Sequence, residues 1–291
     1  MFKQWYQKLR EKLFKWLTYE PPATEVMPYD FNRLKHEIRP GDVLLIEGRS
    51  RVSSVIRAIT QSPWTHAALY IGRLADFEDE EVREFIQHYI DVKENTHLIL
   101  EDLLDKGTVL MPLSSYRHHH IRICRPIGII PSDIYQVIRY ALRAVGQPYN
   151  VRDLLDLARF LLPWTILPRR WGSNLFRTST GEPESSICST LIAEAFTSVQ
   201  FPILPFIKMD EEKGPEVFHR NPHLFTPKDF DYSPYFNIIK YPLFSAEEPL
   251  PYYRRIPWTT SGLIHQDEGI LSKPTPKKKF FKKDEPPPHT D

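Results

Sequence analysis

The chain has 291 residues, 41% hydrophobic, 13% aromatic and 26% charged, which suits a globular protein with one sizeable core. No run of about 18 apolar residues occurs, which argues against a membrane-spanning helix, and a net charge of +1 gives no reason to expect a nucleic-acid partner. Two cysteines, Cys124 and Cys188, cannot make a disulfide framework, so a reducing, cytoplasmic setting is expected.

Residues 1–20 read as a helix, because Phe2, Trp5, Leu9, Leu13 and Trp16 recur at three- and four-residue spacing. Its other face is basic, and the segment lacks the unbroken apolar stretch of a secretory signal. Two readings stand: an anchor lying on an anionic membrane surface, on the inner face of the membrane, or a helix packed on the protein's own body. Pro21 and Pro22 end it.

The body is expected over residues 30–245. The segments 42–47, 66–72, 97–101, 108–113 and 120–125 read as strands from their apolar runs and β-branched content. An acidic insertion, helical or looped, separates the second from the third. Ser132 opens a helix whose apolar face carries Ile134, Val137, Ile138, Ala141, Leu142 and Val145, with Gly146 as its stop. A second helix is expected near 151–162. The polar and aromatic connection 163–184 is long enough to be a candidate lid. Ser185 or Ser186 then caps a helix carrying Cys188. Residues 246–291 turn Pro-rich and then basic, with six lysines between 273 and 283. This tail is expected to be disordered and able to add attraction to an anionic surface.

Cys188 lies at a helix start, where unpaired N–H groups and the helix dipole favour a thiolate. A buried Cys on an apolar helix face is also a common inert core residue, so a base must be found. His66, at the entrance of the strand HAALYIG, fits that role. A carboxylate should orient its imidazole. Glu101, closing HLILE, is the candidate to accept the Nδ1–H, with His97 and Asp102 as competitors. His118, His119 and His120 look like metal ligands, but neighbours on a strand point to opposite faces and no zinc spacing supports them. Neither a metal nor an organic cofactor is expected. Cys124, alternating with apolar residues in mid-strand, reads as structural.

RPGDVLLIEG, the WTHAALYIG segment, LILED followed by GTVLMPLSSY, GQPYN and ICSTLIAEAF occur in this order. Together they resemble the YiiX/YaeF-like enzymes, circularly permuted papain-like cysteine amidases of the NlpC clan, over about residues 38–241. The resemblance implies an α+β, permuted papain-like (NlpC-type) fold: a small antiparallel sheet, curled towards a barrel and packed with helices. It places the nucleophile on Cys188, the base on His66 and the orienting carboxylate on Glu101, with Tyr149 and Trp64 at the substrate pocket. The expected activity is a cysteine hydrolase of amidase or peptidase type, attacking an amide or ester carbonyl through an acyl-enzyme. Two alternatives remain at this stage. One is a membrane-associated acyl hydrolase or acyltransferase of the lecithin:retinol acyltransferase-like kind, acting on a lipid acyl group. The other is a catalytically silent binding protein of the same fold.

Overall fold

The computed structural model describes residues 15–16, 18–22, 29–103, 106–147, 188–210 and 214–242, and two short strands at 263–264 and 271–272. Most of the helix expected at 1–20, the helix at 151–162, the candidate lid, the caps Ser185 and Ser186, Tyr149 and most of the basic tail lie outside the described residues. The chain divides into two units, Met1–Leu243 and Phe244–Asp291. In the second, Leu263–Ile264 and Leu271–Ser272 pair antiparallel.

Strands β1 (Val43–Glu47), β2 (His66–Arg73), β3 (His97–Leu103), β4 (Gly107–Pro112), β5 (His120–Pro126) and β8 (Phe236–Ile239) form one antiparallel sheet in the order β4-β3-β2-β1-β5-β8. All five expected strands are present, within a residue or two of their expected ends. The sheet keeps two free edges, β4 and β8, so it does not close into a barrel. Two further strands, β6 (Phe206–Asp210) and β7 (Gly214–Phe218), make a separate hairpin.

Side chains alternate along a strand, and here both faces are covered. Val43, Leu45, Ala67, Leu69, Leu98 and Leu100 enter the larger core. Leu44, Ile46, Ala68, Tyr70 and Ile99 enter a second core on the other face. That is why β1 and β2 read as continuous apolar runs rather than an alternation. Each fully buried Leu or Ile contributes about 1.5–3 kcal/mol. Helix α1 (Phe31–Glu37) supplies Phe31 and Leu34 to the second core.

The larger core is roofed by α3 (Glu80–Tyr89), α4 (Pro131–Leu142) and α5 (Cys188–Ser198). Asp79 caps α3 by accepting from the Glu81 N–H, so the acidic insertion is helical. Pro131 opens α4 one residue before the expected start. Helix α2 (Arg51–Thr60) is capped by Ser50, whose side chain accepts from the Ser53 N–H. A further helix, α6 (Pro227–Tyr232), starts at a capping box between Thr226 and Asp229. Helix α5 is buried on nearly every side, from Cys188 through Ala193 and again at Ala195 and Phe196. A helix apolar all round belongs in the middle of a core.

Candidate active site

His66 is the first residue of β2 and Cys188 the first residue of α5. The β2–β3 pairing sets Leu69 opposite Leu100 and Tyr70 opposite Ile99, and it brings the Glu101 side chain to His66. His66 Nε2 lies 2.6 Å from Glu101 Oε2. The expectation had the carboxylate on Nδ1. It sits on Nε2. That leaves Nδ1 to face Cys188, the other group whose interaction raises the ring.

Burial alone would make the His66 cation unfavourable. The charge of Cys188 and its hydrogen bond, followed by the bond and charge of Glu101, outweigh burial and raise the imidazole well above the ordinary histidine value. The His66 side chain is 17% exposed and that of Glu101 only 1%. Glu101 has a second partner that the sequence did not reveal, the Tyr116 hydroxyl, donating to the same Oε2 at 2.6 Å. Oε1 is buried without a partner among the described residues. The carboxylate is thus compensated on one side only, which favours a positive charge on His66. Burial, and then the Glu101 charge, push the Tyr116 phenol well above its ordinary value, so it stays a neutral donor.

Behind Tyr116, the His119 ring meets it edge-on at 5.1 Å, and His119 Nε2 lies 2.7 Å from Glu20 Oε2. No spacing rule marks Tyr116 in advance. It follows β4 in a short 3-10 turn, Leu113–Tyr116, and reaches Glu101 only because β3 and β4 are paired.

The competing candidates fall elsewhere. His97 bonds the Tyr70 hydroxyl through Nδ1 at 2.7 Å, at the opposite end of the sheet from His66. Asp102 points to the other face and accepts from the Thr108 hydroxyl. The histidine triplet is dispersed: His119 faces Glu20, His120 faces Glu47, and His118 is exposed. Among the described residues, no group of three or more His, Cys, Asp or Glu side chains is arranged to hold a metal ion. Cys124 is fully buried in β5, where burial drives its thiol far above the usual range.

Trp64, two residues before His66, is 8% exposed. Its indole N–H donates to Asp231 at 3.2 Å, and the Arg122 guanidinium stacks 4.7 Å from its ring centre. It lines a cavity of 970 Å³ with Leu204, Phe206, Arg220 and Tyr232. Tyr149 lies outside the described residues.

An antiparallel sheet delivering a histidine early in the chain to a cysteine-headed helix much later has the chain order of a permuted papain-like protein. Residues 37–156 match the C92 family of permuted papain-like amidase enzymes, YaeF/YiiX. The resemblance seen in the sequence therefore holds over that stretch, about two-fifths of the chain, which includes His66, Glu101 and Tyr116 but ends before Cys188. What that stretch is similar to is described as a permuted papain-like amidase enzyme. The crystal structure of metalloprotein YiiX from Escherichia coli O157:H7 aligns over 70% of this chain and 98% of that chain, with 13% identity and a TM-score of 0.42. Among curated proteins none matches. No helix among the described residues is long and apolar enough to cross a membrane.

Proposed function

We propose that this protein is a cysteine hydrolase of the amidase type, with Cys188 as nucleophile, His66 as general base and acid, and Glu101 as the group that orients His66. One observation carries the reading: His66 Nε2 lies 2.6 Å from the buried Glu101 carboxylate, and that group together with Cys188 raises the imidazole well above the ordinary value.

The Cys188 thiol gives its proton to His66 Nδ1, and the sulfur attacks the carbonyl carbon of an amide or ester. The tetrahedral intermediate collapses with cleavage of the C–N or C–O bond. His66 returns the proton to the leaving amine or alkoxide, and a thioester remains on Cys188. Water then attacks the thioester, His66 takes its proton, and the carboxylic acid leaves as the thiol re-forms. Backbone N–H groups in the first turn of α5 have no intrahelical acceptor and are suitable donors to the developing oxyanion.

The pH dependence of Cys188 alkylation by iodoacetamide tests this directly. Rapid alkylation at neutral pH, lost in His66→Ala, is the expected result. Slow alkylation that ignores His66 makes Cys188 a core residue and removes the enzyme reading.

One observation favours a lipid acyl substrate as a second reading. Phe206, Ile207, Met209, Val217 and Phe218 of the β6–β7 hairpin are all exposed among the described residues. An apolar surface of this kind suits contact with a lipid layer. Comparing turnover of amide substrates with that of phospholipid esters in vesicles decides between the two.

A further inference from the structure

At the end of the sheet away from His66, a second recess of 660 Å³ opens between α1 and the junction of β2 with β3. His66 opens β2 and Arg73 closes it, so the two sites lie roughly 23 Å apart along the strand. At this end Gly72 takes a φ of +109°, and the β2–β3 register shifts between Tyr70 and Gly72. Glycine tolerates that geometry, and Arg73 is left beside the first residue of β3, His97.

The recess is lined by Lys35 and His36 from the last turn of α1, by Arg39 just beyond it, and by Arg73 and His97. Its one acidic group, Asp76, is taken up by Arg73, whose guanidinium donates to both carboxylate oxygens at 2.7–3.2 Å. Among the described residues Lys35 forms no salt bridge, its ammonium lying 5.9 Å over the Phe31 ring, and Arg39 has only the Asp42 carboxylate, which accepts from its backbone N–H and feels its charge. The amides of Asn32 and Asn95 complete the rim. On the floor, the buried Tyr70 hydroxyl occupies His97 Nδ1, and the two rings stack 5.7 Å apart. His97 Nε2 is therefore the ring atom left to address a ligand.

We propose that this recess binds a phosphate-type oxyanion, carried on a ligand larger than inorganic phosphate. Lys35 and Arg39 converging with a guanidinium, an imidazole and amide donors form a set that matches the many acceptor lone pairs of such a group. The volume leaves room for the organic part of a phosphate ester. The local field is already positive: burial, then the charges of Arg73 and Lys35, lower the His97 imidazole below its ordinary value, with Asp76 opposing and His36 adding. A bound anion opposes the cationic part of that lowering.

The test is isothermal titration of the full chain with inorganic phosphate. Saturable binding is expected, weakened about tenfold or more in Lys35→Gln/Arg39→Gln, with the circular dichroism spectrum and melting temperature of the phosphate-free protein unchanged. The charge-preserving pair Lys35→Arg/Arg39→Lys should retain binding, which separates lost charge from lost fold. In NMR titrations, phosphate should move the His97 midpoint upward. Flotation with phosphatidylcholine vesicles containing phosphatidic acid distinguishes the ligand's source. Vesicle binding that falls in the Gln variant identifies a lipid headgroup, and vesicle binding that ignores the variant identifies a soluble phosphate ester. Absence of saturable phosphate binding to the wild type, or binding that the Gln variant keeps in full, overturns the proposal.

Discussion

His66 and His97 stand at opposite ends of the same pair of strands, each bonded to one oxygen-bearing side chain, yet their environments push them in opposite directions. Both pay for burial. His66 recovers that cost from the charges of Cys188 and Glu101 and rises well above the ordinary histidine value. His97 has a neutral phenol as its partner and faces Arg73 and Lys35, so it falls. Burial lowers both histidines; the negative groups at His66 reverse it, and the cations at His97 add to it. One end of the sheet is therefore suited to stabilising a thiolate, the other to receiving an anion.

The largest expected effect separates the two ends completely. Cys188→Ala should abolish turnover of an amide or ester substrate, while His97→Ala should leave it within a few-fold of wild type, as measured by kcat/KM. Next comes Glu101→Gln, which keeps the shape but removes the charge that helps hold His66 protonated. A loss of about 10²–10⁴ in kcat is expected, by analogy with the orienting carboxylate of serine hydrolases. The His66 NMR midpoint should drop towards the ordinary value, with His97 unmoved. A Glu101→Gln enzyme of wild-type rate would show that the carboxylate only fills space.

Stability against pH should divide along the same line. The raised His66 value contributes stability that is fully present below the unfolded pKa of about 6.5 and is lost as pH rises through the folded value. The lowered His97 value acts oppositely, because the unfolded chain binds the proton more readily; stability falls as pH drops below about 6.5. Urea midpoints of His66→Ala should therefore lose the alkaline decline, and those of His97→Ala the acidic one. A variant whose midpoint–pH curve parallels that of the wild type would refute the corresponding assignment.

How much of this was visible in the sequence follows from the range of each signal. The five central strands were legible because both faces are buried, so residues such as Leu44, Leu45, Ala68 and Leu69 form unbroken apolar runs. Helix α4 was legible from its 3.6-residue period, with Ser132 read as its start, one residue late. Helix α2 was not, since its segment RVSSVIRAIT is polar on one face and only the Ser50 cap announces it. The β6–β7 hairpin was missed because its apolar residues are exposed and carry no inward pattern. At the site, Cys188, His66 and Glu101 could be selected as residue types at element ends. Which imidazole nitrogen meets the carboxylate depends on strand register, and Tyr116 depends on the β3–β4 pairing, so neither is written locally.

The smallest effects come from removing one hydroxyl at each end, and the two cases should differ in kind. In Tyr116→Phe, Glu101 Oε2 keeps His66 but loses a donor, while Oε1 already lacks one among the described residues. A hydrogen bond to a charged group is worth about 1.5–3 kcal/mol. Only part of that reaches the reaction, since His66 still anchors the carboxylate, so a fall of roughly tenfold in kcat with little change in KM is expected. The rate of Cys188 alkylation should fall with it. In Tyr70→Phe, the His97 Nδ1 is left without its partner in a semi-buried site, which should cost about 1–3 kcal/mol of stability. Cys188 alkylation should be unchanged, because Tyr70 touches neither Glu101 nor His66. If Tyr70→Phe slowed alkylation as much as Tyr116→Phe, the two ends of the sheet would be coupled, and the separation of a catalytic end from an anion-binding end would fail.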